Sequence, residues 1–123
     1  LILPGIADKK FPNALAKTHY SALLDSGVKI SEWMPGFVHA KVFVVDGRED
    51  VVGTINLDYR SLYHHFENAV WLTNAPCIRD IEGDFQATLE QCRTVENNPK
   101  SIWQGRFLFR AVGMLLKVIA PLL

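Results

Sequence analysis

Three short runs rich in Val and Phe, at 39–46, 51–53 and 66–73, are separated by polar stretches and followed, after Pro76, by apolar residues at helical spacing. Runs of this length bounded by turn residues predict strands, and Ile78, Ile81, Phe85, Leu89 and Cys92 predict a helix of about 17 residues from Pro76. Upstream, residues 1–3 end a strand and a Pro-Gly loop runs on to Pro12. Asn13 then caps a helix through about Asp25, stopped by Gly27, and residues 28–33 alternate as another strand before the Met34-Pro35-Gly36 turn. Strand and helix alternate, so the expected class is α/β, a sandwich of mixed β-sheet flanked by helices. Asn97-Asn98-Pro99 breaks the pattern, which divides the chain into a body at 1–96 and a tail at 97–123.

The 123 residues, 49% of them hydrophobic, suffice for one core. The chain starts inside an apolar stretch, Leu1-Ile2-Leu3-Pro4, with no initiating Met and no charged leader, so its start reads as a cut. Net charge is zero, yet all 13 acidic residues lie at or before Glu96. The body therefore carries 9 basic against 13 acidic residues, net −4, and the tail carries +4 through Lys100, Arg106, Arg110 and Lys117. An acidic body argues against sequence-independent nucleic-acid binding, which uses clustered cations to displace counterions. A basic apolar tail argues for an anionic membrane surface. Cys77 and Cys92 form no disulfide framework and no metal-ligand spacing.

Between His39 and Glu67 lie residues suited to one half of a phosphate-handling site. On a regular strand His39 and Lys41, two apart, project from one face, so an imidazole and an ammonium meet the same phosphoryl group. Neutral imidazole is a competent nucleophile near pH 7, and a fixed Lys offsets the negative charge that repels attack. Asn56 donates amide hydrogens to a phosphoryl oxygen, Thr54 adds a hydroxyl, and Gly53 leaves room for close backbone approach. Asp46, five residues beyond Lys41, falls on the opposite strand face and reads as a structural acceptor. Glu67 is a candidate to hold a histidine Nδ1 proton and so aim Nε2 at phosphorus. Chance occurrence of all seven residues at these offsets is below about 10⁻⁶. In-line displacement needs a group attacking phosphorus and another protonating the leaving oxygen, so a second histidine must come from elsewhere.

These residues resemble the phospholipase D superfamily motif, His-x-Lys-x4-Asp-x6-Gly-(Ser/Thr)-x-Asn, and match it at every position. A closer resemblance runs through Pro35-Gly36-Phe37-Val38-His39-Ala40-Lys41, Gly53-Thr54-Ile55-Asn56-Leu57-Asp58-Tyr59-Arg60-Ser61, Phe66-Glu67 and the ending Ala120-Pro121-Leu122-Leu123. Together these are similar to the C-terminal half of bacterial cardiolipin synthases of the phospholipase D type. That resemblance implies one half of a two-motif architecture that works through a phosphohistidine without metal or cofactor, His39 being the nucleophile or the general acid. It implies that Glu67 orients a histidine, commonly one of the opposite half. The partners it implies are phosphatidylglycerol and the N-terminal half carrying the first motif, or a second copy of the chain. The implied activity is phosphatidyl transfer between two phosphatidylglycerols, giving cardiolipin and glycerol. It takes place at the bacterial inner membrane, with the catalytic part peripheral to the bilayer. Thr54 stands where Ser is more usual, and His65 where Asn is expected. A homodimeric phosphodiesterase or nuclease of the same superfamily, and a non-catalytic membrane-binding module, are the alternatives.

Asp58 and Arg60 are near enough in sequence to Asn56 to contact substrate, although pairing or loop fixing is the plainer reading. His19 reads as a surface residue, His64 and His65 as candidate pocket residues, and Trp33 and Trp71 as core or sheet-face aromatics. In the tail, Arg106, Arg110 and Lys117 share one helical face while Phe107, Leu108, Val112, Leu115 and Ile119 cover much of the rest. The stretch is shorter than the roughly 20 residues of a spanning helix, which leaves an interfacial helix or one packed on the protein's own core.

Overall fold

The computed structural model describes residues 1–104 and 106–120. They form two compact units, one of Leu1–Val38 with the stretch from Gln91 onward, the other His39–Glu90. The division expected after residue 96 is therefore not the one the contacts draw. The class is α/β as expected, with two three-stranded sheets in place of one mixed sheet.

In the first unit, β1 (Ile2–Pro4) pairs parallel with β2 (Ser31–Trp33), and β2 pairs antiparallel with β6 (Cys92–Thr94). The helix expected over 13–25 is two helices, α1 (Lys10–Lys17) and α2 (Tyr20–Asp25). Asn13 lies inside α1, whose cap position is Lys9. The break has a local cause: the Thr18 hydroxyl donates to the Leu15 carbonyl at 2.6 Å and competes with the helical ladder. Cys92, expected at the end of a helix, is instead drawn into the sheet opposite Trp33.

Within this unit Tyr20, Ile30, Val95, Ile102 and Trp103 form the buried cluster, with Leu3, Leu23, Leu24, Val28 and Phe109 packed around it. Inside it Glu32 is fully buried. Its carboxylate takes Lys17 Nζ at 2.9 Å on one oxygen and an Arg93 guanidinium nitrogen at 2.5 Å on the other. Tyr20 donates its hydroxyl to the same carboxylate at 3.4 Å, and burial followed by the Glu32 charge pushes the phenol pKa well up. Lys17 also donates to the Ile102 carbonyl at 3.0 Å, which ties α1 to the tail. A buried ion is tolerated only when paired and hydrogen-bonded in this way.

The tail is not one helix. Asn98 accepts from the Ser101 N–H at 2.7 Å and Pro99 occupies the first turn, so α4 (Pro99–Trp103) starts where the pattern reads as a break. It ends at Gln104 in the left-handed region, φ +52. The helix α5 (Phe107–Ile119) follows and packs on α1, where a Cβ at Gly113 would stand 2.6 Å from the Ala14 carbonyl oxygen. Only glycine permits that approach. The Pro121-Leu122-Leu123 ending lies outside the described residues. No helix among the described residues is long and apolar enough to cross a membrane.

The second unit is an antiparallel sheet, β3 (Val42–Val45), β4 (Glu49–Gly53) and β5 (Ala69–Thr73), followed by α3 (Ile78–Glu90). Between β3 and β4 the chain turns on Asp46 and Gly47, both at positive φ (+53 and +61), with Arg48 N–H on the Val45 carbonyl at 3.1 Å. That is a mirror-image turn whose twist suits a hairpin. In the middle of β4, Asp50 is fully buried between Val44 and Leu72 in register, and neither of its carboxyl oxygens has a hydrogen-bond partner. Trp71 is an exposed sheet-face aromatic, and Trp33 of the first unit is half-buried.

Candidate active site

All the phosphate-site residues singled out in sequence fall in the second unit. His39 and Lys41 precede β3 instead of lying on it. The ladder extends one residue beyond the strand, because Gly53 N–H donates to the Lys41 carbonyl at 3.1 Å. The side chain of Lys41 folds back so that its Nζ donates to the His39 carbonyl at 2.8 Å. The bond between the two residues thus runs from ammonium to main chain, and neither lies on the regular strand from which their shared face is expected. His39 is exposed and Lys41 half-buried.

Gly53 has a structural reason. It faces Ala69 across the β4–β5 ladder, and a Cβ there would stand 2.6 Å from the Ala69 Cα. The backbone that approaches is therefore β5 itself. Thr54 continues the clasp: its N–H donates to the Asn68 carbonyl at 2.9 Å and its hydroxyl accepts from Asn68 N–H at 3.0 Å. The same hydroxyl donates to Glu67 at 2.5 Å.

The Glu67 carboxyl is held below the usual value, first by the Thr54 hydrogen bond, then by one from Ser61, with the charges of His65 and Lys41 adding. Thr54 and Glu67 are thus joined directly, and Lys41 meets His39 through its main-chain carbonyl. In sequence Ser61 has no part of its own, only a place within the stretch Gly53 to Ser61. Its place as a second donor to Glu67 comes from the π-helical turn Arg60–His64, which buries it.

That turn also gives partners to two charged residues. Asp58 accepts from Ser61 N–H at 2.7 Å and so fixes the loop that starts the turn. Arg60 Nε donates to His65 Nε2. Both side chains have protein partners. Asn56 is exposed in the loop after β4, as are His64 and His65 in and after the turn.

Asp46 stands apart. Five residues at about 3.3 Å each put it roughly 16 Å along β3 from Lys41. It shapes the turn at the far end, beside an open cleft of about 380 Å³ lined by Val44, Asp46, Gly47, Glu82, Phe85 and Gln86. Asp tolerates the left-handed backbone that this turn demands. The Asp46-Gly47 pair is itself the strongest short-range hairpin signal, and it explains the residue without a part in bond making.

Cys77 is exposed in the second unit, and the first unit holds His19, Cys92 and the basic residues of the tail. His19 is the residue before α2, and its pKa is lowered by partial burial and then by the Lys117 charge. Burial raises the Cys92 thiol. Arg106, Arg110 and Lys117 are all exposed.

The family model described as "Cardiolipin synthase, PLD-like domain" matches residues 1–89. An uncharacterized protein of Streptococcus mutans serotype c is 53% identical over all 123 residues, which cover 26% of that protein. Cardiolipin synthase of Clostridium perfringens and cardiolipin synthase 2 of Bacillus cereus are each 32% identical over the whole chain, which covers 25% and 24% of them. The chain thus spans about a quarter of the length of these relatives. No solved structure matches it. With nearly three quarters of its length in that match, the chain belongs to the family of cardiolipin synthase phospholipase D-like domains.

Proposed function

We propose that this chain supplies one half of an active site that transfers a phosphatidyl group between two phosphatidylglycerol molecules, giving cardiolipin and glycerol. The observation that carries the reading is the Lys41 ammonium, seated on the His39 carbonyl in the same unit as the hydrogen-bonded Thr54 and Glu67. A cation there stabilises charge on a phosphoryl group held beside the imidazole.

In one assignment an imidazole nitrogen of His39 attacks phosphorus, a P–N bond forms and the P–O bond to glycerol breaks. The second histidine protonates the departing glycerol oxygen. A hydroxyl of the next phosphatidylglycerol, deprotonated by that second histidine, then attacks phosphorus and restores the imidazole. In the other assignment the two histidines exchange these parts. Asn56 and Lys41 hold the phosphoryl oxygens, and Thr54 and Ser61 keep Glu67 ionised. Either way the chemistry needs the histidine of a first motif, from the preceding half of a longer polypeptide or from another chain.

An assay on phosphatidylglycerol vesicles tests this, with the chain alone and with a polypeptide carrying a first motif. Product is expected only from the combination. Turnover by the chain shown to be monomeric would overturn the half-site reading.

A further inference from the structure

The helix α5 has three sides. One is packed: Gly113 lies against Ala14 of α1, and Phe109 meets Trp103 edge to face at 6.3 Å. A second side holds Phe107, Leu108, Met114, Leu115 and Val118, which fall within an arc of roughly 120° at 100° per residue. These side chains face outward, with Phe107 81%, Leu115 74% and Val118 79% exposed. Between the two runs a strip carrying Arg110 and Lys117, both exposed.

We propose that this outward arc inserts into the interfacial layer of an anionic lipid surface while the opposite side of α5 stays packed on α1. The occupant follows from charge and composition. The arc contains no hydrogen-bonding side chain, as acyl chains require, and its flank is purely cationic, since no acidic residue follows Glu96. Docking asks for no unfolding: the groups that insert are already exposed, and the packed stripe of Phe109 and Gly113 is not needed for insertion. The expectation of a helix either on the membrane or on the core resolves into one helix that does both. The surface belongs to the other unit from the residues assigned to phosphatidyl transfer, so the inference stands or falls independently of that reading.

The test is co-sedimentation of the full chain with vesicles of about three parts phosphatidylcholine to one of phosphatidylserine, an anionic lipid that is not the proposed substrate. The chain is expected to partition into these and only weakly into phosphatidylcholine alone, with binding weakened as salt rises from about 0.05 to about 0.5 M. The double variant Leu108→Asp, Leu115→Asp should lose more than about tenfold in partitioning. Arg110→Glu with Lys117→Glu should lose roughly tenfold. Both variants change exposed residues, so unfolding midpoints should hold and confirm folded protein. His39→Ala should bind vesicles as the unsubstituted chain does, which separates this surface from the catalytic one. Unchanged partitioning of the Leu108/Leu115 variant would overturn the proposal, as would no binding to anionic vesicles. So would dissociation of a self-associated chain by that variant, which would make a second copy the occupant.

Discussion

Two side-chain carboxyl groups are fully buried among the described residues, and they are treated in opposite ways. Glu32, in the first unit, receives Lys17, Arg93 and the Tyr20 hydroxyl. Asp50, in the second, sits between Val44 and Leu72 with neither oxygen hydrogen-bonded. The first unit pairs its buried carboxylate, leaving the Arg93 Nε beside it without a hydrogen-bond partner, and the second leaves a whole carboxyl unpaired in a sheet where Val70 and Trp71, on opposite faces, are both exposed. The candidate active site lies wholly in the second. The paired carboxylate and the residues proposed for catalysis thus fall in different units, as expected if functional sites tolerate local strain that a core does not.

The sharpest way to break this comparison is Glu32→Ala. Removing the shared anion leaves Lys17 and Arg93 buried or half-buried without compensation, and chemical unfolding should show a loss of about 3–5 kcal/mol. A loss under about 1 kcal/mol would mean that the network contributes little. Asp50→Val should move the other way, because an apolar side chain that suits a strand replaces an unsatisfied polar group. A gain of about 1–3 kcal/mol is expected from the same unfolding curves. Destabilisation instead would show that Asp50 has a partner in solution and that the two carboxyl groups are not a contrast at all.

The sequence made the alternation of elements and the motif spacing legible, and with them the α/β class and the family. It did not reveal the long-range pairings. Glu32 stands 15 residues from Lys17 and 61 from Arg93, and within an alternating run nothing marks it as buried. Local signals were also misread where two of them compete. Asn98-Pro99 is both a breaker and a helix start, and the cap bond to Ser101 decides for the start. Thr18 fits a helical period, yet its hydroxyl ends α1. For the site, spacing grouped His39 with Lys41 on one strand face, whereas both precede the strand and the bond between them runs from the Lys41 ammonium to the His39 main-chain carbonyl. Spacing grouped Asp46 with them too, although the strand between carries it to the far turn. Glycine at position 53 reads equally well as space for substrate or for backbone, and only the register with Ala69 shows that β5 fills it.

The most direct measurement is cardiolipin formation from phosphatidylglycerol, quantified by mass spectrometry, with His39→Ala in the enzyme that contains both motifs. The substitution should lower turnover by about 10²–10⁴-fold or more, whether His39 attacks phosphorus or moves the proton. Because His39 is exposed, the unfolding midpoint should stay where it was. Turnover within about a factor of ten of the unsubstituted enzyme, in a protein that remains folded, would contradict the assignment of this unit as half of the active site.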